Sequence, residues 1–162
     1  METISTKKIM KIGVVVEDIE KSAKAYAELF GLEEPVIKVP DLSVPSTPDG
    51  PHTIYKGEYR TTGCKTAVIP VEPIYIELIE PLNHPSPWTE FQEKHQQGVH
   101  YLAFNIDGFA EHAAFMESKD MPVVQKTEKG HERYAYFDTE KTLGVTIEFK
   151  ETGEKVGGVR ND

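Results

Sequence analysis

Lys11-Ile12-Gly13-Val14-Val15-Val16-Glu17-Asp18 and His100-Tyr101-Leu102-Ala103-Phe104-Asn105-Ile106-Asp107 read as two copies of one unit. Each is an apolar, β-prone run that opens on an ionisable residue and passes into a helix at an aspartate. Ile76-Glu77 and Ile147-Glu148 match in the same way near the end of each half. A duplicated strand–helix–strands unit predicts two modules around one cleft. Aligning the copies puts Lys11 against His100 and Glu77 against Glu148, so these four polar residues are expected to converge in one ion-sized space.

The elements around these runs follow from local signals. Asp18 suits a helix N-cap, Ile19, Ala23, Tyr26 and Phe30 form an apolar stripe, and Gly31 suits the C-terminal cap. Phe109, Ala113 and Met116 repeat the spacing of Ile19, Ala23 and Tyr26, and Pro122 closes that helical region. Strands are expected at 36–39, 53–60, 65–70 and 74–80 in the first half, and at 123–127, 134–138 and 145–150 in the second. Alternation places Ile74, Ile76 and Leu78 on one face and Tyr75, Glu77 and Ile79 on the other. It also separates Val145, Ile147 and Phe149 from Thr146, Glu148 and Lys150. The prediction is an α+β fold: two βαβββ modules forming a curved mixed sheet around a cleft.

One domain spans 8–150, with module one at about 8–80, a linker at 81–98 and module two at about 99–150. Residues 40–51, with Pro40, Pro45, Pro48, Gly50 and Pro51, read as an inserted loop over the cleft. The linker holds a short helical piece from Trp88 to Gln96. Residues 151–162 lack an apolar stripe and are expected to be a frayed tail.

Composition narrows the function. The chain has 162 residues, 38% of them hydrophobic, enough for one packed domain. A net charge of −9 argues against nucleic acid and anionic membrane as partners. No apolar run is long enough to span a bilayer, and Met1 to Lys8 lacks the apolar core of a signal peptide. Cys64 is the single cysteine, which excludes an internal disulfide and a cysteine-rich zinc site and suits a reducing cytoplasm.

The doubled pattern resembles the vicinal-oxygen-chelate superfamily (glyoxalase/bleomycin resistance/dioxygenase), and within it the methylmalonyl-CoA epimerases. The runs that carry the resemblance are Ile12 to Ser22, Tyr26, Phe30-Gly31-Leu32, Ile76 to Leu82, Ser86-Pro87, Phe91, Gly98 to Phe104 and Gly144 to Glu148. It covers about residues 8–150 and implies a glyoxalase-like fold. It also implies a divalent metal such as Co, Zn, Ni or Mn, a small-molecule substrate such as an acyl-CoA, and a homodimer.

Carried over residue by residue, the family's metal ligands fall on Lys11, Glu77, His100 and Glu148. Glu77, His100 and Glu148 suit a divalent ion. Lys11 stands where the epimerase pattern has histidine, and an ammonium has no lone pair to offer. Lys11 therefore has two roles open to it: a solvated strand lysine, or an internal cation in place of the metal. The epimerase base position is also changed, to Thr61-Thr62-Gly63. The chemistry implied is proton transfer next to a carbonyl through a metal- or cation-stabilised enolate, with Glu148 and Lys11 as catalytic candidates. The alternatives are a metal-free binding protein of the bleomycin-resistance type and a glyoxalase I-like lyase. For the lyase, Val15 replaces the arginine that contacts glutathione.

Overall fold

The computed structural model describes residues 1–156. The elements run β1 (Lys11–Val15), α1 (Ile19–Phe30), β2 (His52–Tyr55), β3 (Glu58–Tyr59), β4 (Cys64–Ile69) and β5 (Tyr75–Pro81). They continue with α2 (Pro87–His95), β6 (Gly98–Asn105), α3 (Phe109–Ser118), β7 (Val123–Phe137), α4 (Glu140–Leu143) and β8 (Thr146–Val156). The strands form one curved, unclosed mixed sheet in the order β3-β2-β7-β8-β6-β1-β5-β4.

The predicted duplication is visible in the pairing. β1 runs parallel to β5, with Gly13 opposite Glu77, and β6 runs parallel to β8, with Ala103 opposite Glu148. The two modules meet where β1 and β6 pair antiparallel.

Helices α1 and α3 cover one face. Asp18 caps α1 by accepting from the Lys21 backbone N–H, and Gly31 ends it in the left-handed region, as their residue types require. Ile19 and Ala23 of α1 pack on Ala67, Ile69 and Leu78. Phe109 and Met116 of α3 pack on Ala135, Phe137, Ile147 and Phe149. The α1 stripe is turned slightly from expectation: Ala27 is buried, while Phe30 is 56% exposed. The alternation predicted for β5 and β8 holds, since Leu78, Ile147 and Phe149 lie under helices while Glu77 and Glu148 face the other side.

Several boundaries differ from the sequence expectation. Residues 36–39 form no strand, only a single bridge between Lys38 and Thr66. The strand expected over 53–60 is a hairpin, β2–β3, because Lys56 and Gly57 take positive φ and turn the chain back. The two strands expected at 123–127 and 134–138 are one continuous β7, with Gly130 at a register shift and not in a turn. The frayed tail is corrected at 151–156, where β8 continues and pairs with β7 through Glu132–Thr152 and Gly130–Val156. Residues 157–162 lie outside the described residues.

The inserted loop crosses the concave face for a topological reason. It is tied to β4 at Lys38, near one edge of the sheet. It ends at His52, where β2 pairs with β7 towards the opposite edge. A chain fixed at both edges must span the mouth between them.

Candidate functional site

The concave face holds a cleft of about 610 Å³. Lys11, Glu77, Tyr134, Tyr136 and Glu148 line it from the sheet, Trp88 from α2, and Pro40 and Leu42 from the loop. Trp88 and Tyr136 belong to an aromatic cluster with Tyr101, Ile79 and Ala103 that forms part of its wall.

Lys11, Glu77 and Glu148 converge as expected. Lys11 Nζ donates to Glu77 Oε1 at 3.2 Å and lies 3.8 Å from Glu148 Oε2. Burial alone would push the Lys11 ammonium down, but the charges of Glu148 and Glu77 hold it above its ordinary value. Glu148 is 2% exposed, and its Oε2 has no hydrogen-bond partner among the described residues. Desolvation pushes its pKa up to about 7; Lys11 opposes this and Glu77 adds to it. A cleft carboxylate that titrates near neutrality can both take and return a proton.

His100 is the correction. Its side chain does not enter this cleft but packs on the α2 side, in a separate pocket with Phe91, Pro87 and Thr146. Its ring lies 4.7 Å from the Phe91 ring and stacks on Tyr136 at 6.1 Å. Burial, with the nearby His95, lowers its pKa to about 3, so the imidazole is neutral. The register explains this: Tyr101 is opposite Gly13, the partner of Glu77, so Tyr101 faces the cleft, while His100 is the unpaired extra residue of a bulge between the pairs Gly13–Tyr101 and Val14–Val99.

Tyr101 takes the place foreseen for His100. Glu77 faces Gly13 and Glu148 faces Ala103, and Lys11 and Tyr101 each lie two residues before those partners. The copies therefore match Lys11 with Tyr101. Tyr101 donates its hydroxyl proton to Glu77 Oε1 at 2.5 Å, on the oxygen that Lys11 also uses. Its ring lies where Gly13 has no side chain: a Cβ on Gly13 would sit 2.0 Å from Tyr101 Cε1. Burial and the neighbouring Tyr136, Glu148 and Glu77 raise the phenol well above its ordinary value, so it stays a donor.

The other residues weighed in the sequence play smaller parts. Glu58 is exposed on β3 and paired with Arg60, away from Glu148. His52 stands at the mouth, with Nδ1 against the Gly50 carbonyl and Nε2 3.6 Å from Glu128. Cys64 lines the cleft, but burial and the Glu77 charge raise its thiol, so it is no nucleophile at neutral pH.

A model of the glyoxalase/bleomycin resistance protein/dioxygenase superfamily matches residues 10–137. The chain belongs to this superfamily. No curated protein matches it by sequence. Among solved structures it is similar to methylmalonyl-CoA epimerase from Mycobacterium tuberculosis, at 18% identity and a TM-score of 0.63, over 94% of this chain and 93% of that one. It is also similar to a Streptomyces coelicolor methylmalonyl-CoA epimerase variant in complex with 2-nitronate-propionyl-CoA, at 19% identity and a TM-score of 0.62, over 95% and 100%. A methylmalonyl-CoA epimerase in complex with methylmalonyl-CoA and ammonium matches at 19% identity and a TM-score of 0.62, over the same shares. At such identities these likenesses establish the fold.

The cleft residues of this superfamily member do not fit a divalent ion. Lys11 carries three donors and no lone pair, and its charge stands between the two carboxylates a metal would need. Tyr101 offers a protonated phenol committed to Glu77, and the His100 ring lies in the separate pocket beside α2. Among the described residues, three metal-capable side chains bring ligand atoms within 4.8 Å of one another only at Asp18, Glu20 and Glu80. That group already caps α1 through Asp18 and Glu80, and Lys65 pairs with Glu20 and Glu80.

Proposed function

We propose that the cleft moves a proton α to a carbonyl, as an epimerase-like isomerase of an acyl-CoA or a related 2-substituted acid. Glu148 takes the α-proton, Lys11 stabilises the enolate oxygen as a hydrogen-bonding cation, and water on the opposite face of the enolate returns a proton to the α-carbon while Glu148 releases its own to solvent. The observation that carries this reading is Glu148 itself: a buried carboxylate with a free oxygen in the cleft, a near-neutral pKa and a lysine ammonium 3.8 Å away. The fold shared with methylmalonyl-CoA epimerases supports the substrate class.

The test is exchange in D₂O. Methylmalonyl-CoA incubated with the protein should gain deuterium at C2 by proton NMR, and Glu148→Gln should abolish the exchange. Exchange that persists in folded Glu148→Gln would remove Glu148 from the reaction.

A metal-free binding protein is the second reading, and one observation favours it. The segment Arg60-Thr61-Thr62-Gly63 that lines the cleft offers no carboxylate to serve as a second base. A binder would quench the fluorescence of Trp88, the single tryptophan, without any exchange. The lyase reading has no such support, since Val15 is fully buried in the core.

We also propose a homodimer, because β4 is an open edge with Val68 43% exposed. Light scattering should give twice the chain mass of 18.2 kDa; the monomer mass would reject it.

A further inference from the structure

We infer that Lys11 and Tyr101 together are a built-in substitute for a divalent ion, so the cleft binds its ligand through one oxygen held by an ammonium and has no use for a metal. This is independent of the proposed reaction and applies equally to an enzyme or a binder. Three observations lead to it.

The first is position. The strand registers relate Lys11 to Tyr101 and Glu77 to Glu148 across the β1–β6 junction. Both pseudo-symmetric places on the opening strands are therefore filled by groups that donate protons and carry no lone pair suited to a metal at neutral pH. One such substitution could be incidental. Two at related places make one design.

The second is charge. Two carboxylates facing one buried cleft need a cation between them. Lys11 Nζ supplies it, 3.2 Å from Glu77 and 3.8 Å from Glu148. A divalent ion placed beside it would meet a fixed positive charge at short range.

The third is that the substitute is packed in place. Tyr101 holds Glu77 Oε1 and is fully buried, and its ring occupies the space left by Gly13. Glu77 is thus fixed by Tyr101 and pointed at Lys11. Glu77 engages one Lys11 proton, and the ammonium lines the cleft with further donors. That geometry suits a single carbonyl, carboxylate or enolate oxygen. It does not require the pair of neighbouring oxygens that chelates a metal.

The test is titration with Co²⁺, followed by calorimetry and by d–d absorption. The proteins are wild type, Lys11→His, and the double variant Lys11→His/Tyr101→His, each checked for fold by circular dichroism. Wild type should show no saturable binding at millimolar Co²⁺. The double variant should bind one Co²⁺ at least about 100-fold more tightly, because a unit charge has been removed from the ion's neighbourhood and two imidazoles added. Micromolar stoichiometric binding by wild type would overturn the inference. So would a folded double variant that binds no better. If the double variant does not fold, the metal content of wild type purified from medium supplemented with Co²⁺, Zn²⁺ and Ni²⁺ decides. Substoichiometric metal supports the inference, and one equivalent rejects it. None of these measurements depends on turnover, so they can fail while the proposed proton transfer stands, and the reverse.

Discussion

Replacing Glu148 by glutamine should change how the protein's stability depends on pH. In the folded state burial raises the Glu148 carboxyl from its ordinary 4.5 to about 7, against the pull of Lys11. Between these values the unfolded chain has released the proton and the native chain still holds it. Native binding of the extra proton makes the stability of wild type fall as pH rises through this window. The full shift corresponds to roughly 3 kcal/mol, at about 1.4 kcal/mol per pKa unit. Some 2 kcal/mol of it should appear between pH 5 and pH 8, because the unfolded group is already partly titrated at pH 5. Glutamine keeps the shape and cannot titrate, so Glu148→Gln should lack this slope. Urea unfolding followed by Trp88 fluorescence at pH 5, 6, 7 and 8 would measure it. The stability difference between the two proteins should shift by about 2 kcal/mol in favour of the variant over that range. Parallel curves would mean that Glu148 titrates at its ordinary value in the fold. The case for it as a near-neutral proton carrier would then fail.

Other perturbations probe the same centre. Lys11→Met leaves Glu77 and Glu148 without their cation; it should cost about 3 kcal/mol at pH 8 and less at pH 5, where Glu148 is protonated, as urea unfolding at both pH values would show. Gly13→Ala drives a methyl into the Tyr101 ring and should lose at least about 2 kcal/mol, visible as a lowered melting temperature. His100→Leu should leave deuterium exchange at C2 intact, since the ring faces a different pocket; loss of exchange in the folded variant would return His100 to the site.

Much of the fold was legible because it rests on short-range rules. Asp18 and Gly31 bound α1 through capping chemistry that a few residues decide. The faces of β5 and β8 followed from strict alternation, which put Glu77 and Glu148 in the cleft and Leu78, Ile147 and Phe149 under the helices. The cluster of prolines at 40–51 marked a segment that could pair with nothing for long. What escaped was pairing without a core. The β8 extension at 151–156 has no apolar face to announce it, because it is held to β7 by backbone hydrogen bonds. Gly130 looks like a turn residue, and it takes positive φ, but it does so at a register shift inside one long strand.

A different limit explains why His100 was expected in the cleft and Tyr101 was not. Matching the copies on their ionisable residues puts His100 there, one place out of step with the strand pairing, where the register of β6 on β1 also shifts at His100. Composition carries no direct sign of that bulge. Two adjacent polar aromatic residues, His100 and Tyr101, gave the one-residue choice no chemical penalty either way. The information was present in a less obvious pair. Gly13 and Ala103 are the small residues opposite Glu77 and Glu148, and the helices begin at Ile19 and Phe109, at the same distance from each. Matching the copies on their small residues and helix starts, and not on their ionisable ones, pairs Lys11 with Tyr101. Small residues are the better anchor because a neighbour's side chain needs the room they leave, as the Tyr101 ring needs Gly13. An ionisable side chain at a strand end can change while the backbone pairing stays. In this cleft both ionisable places are filled by proton donors, and the pairing that located them is intact.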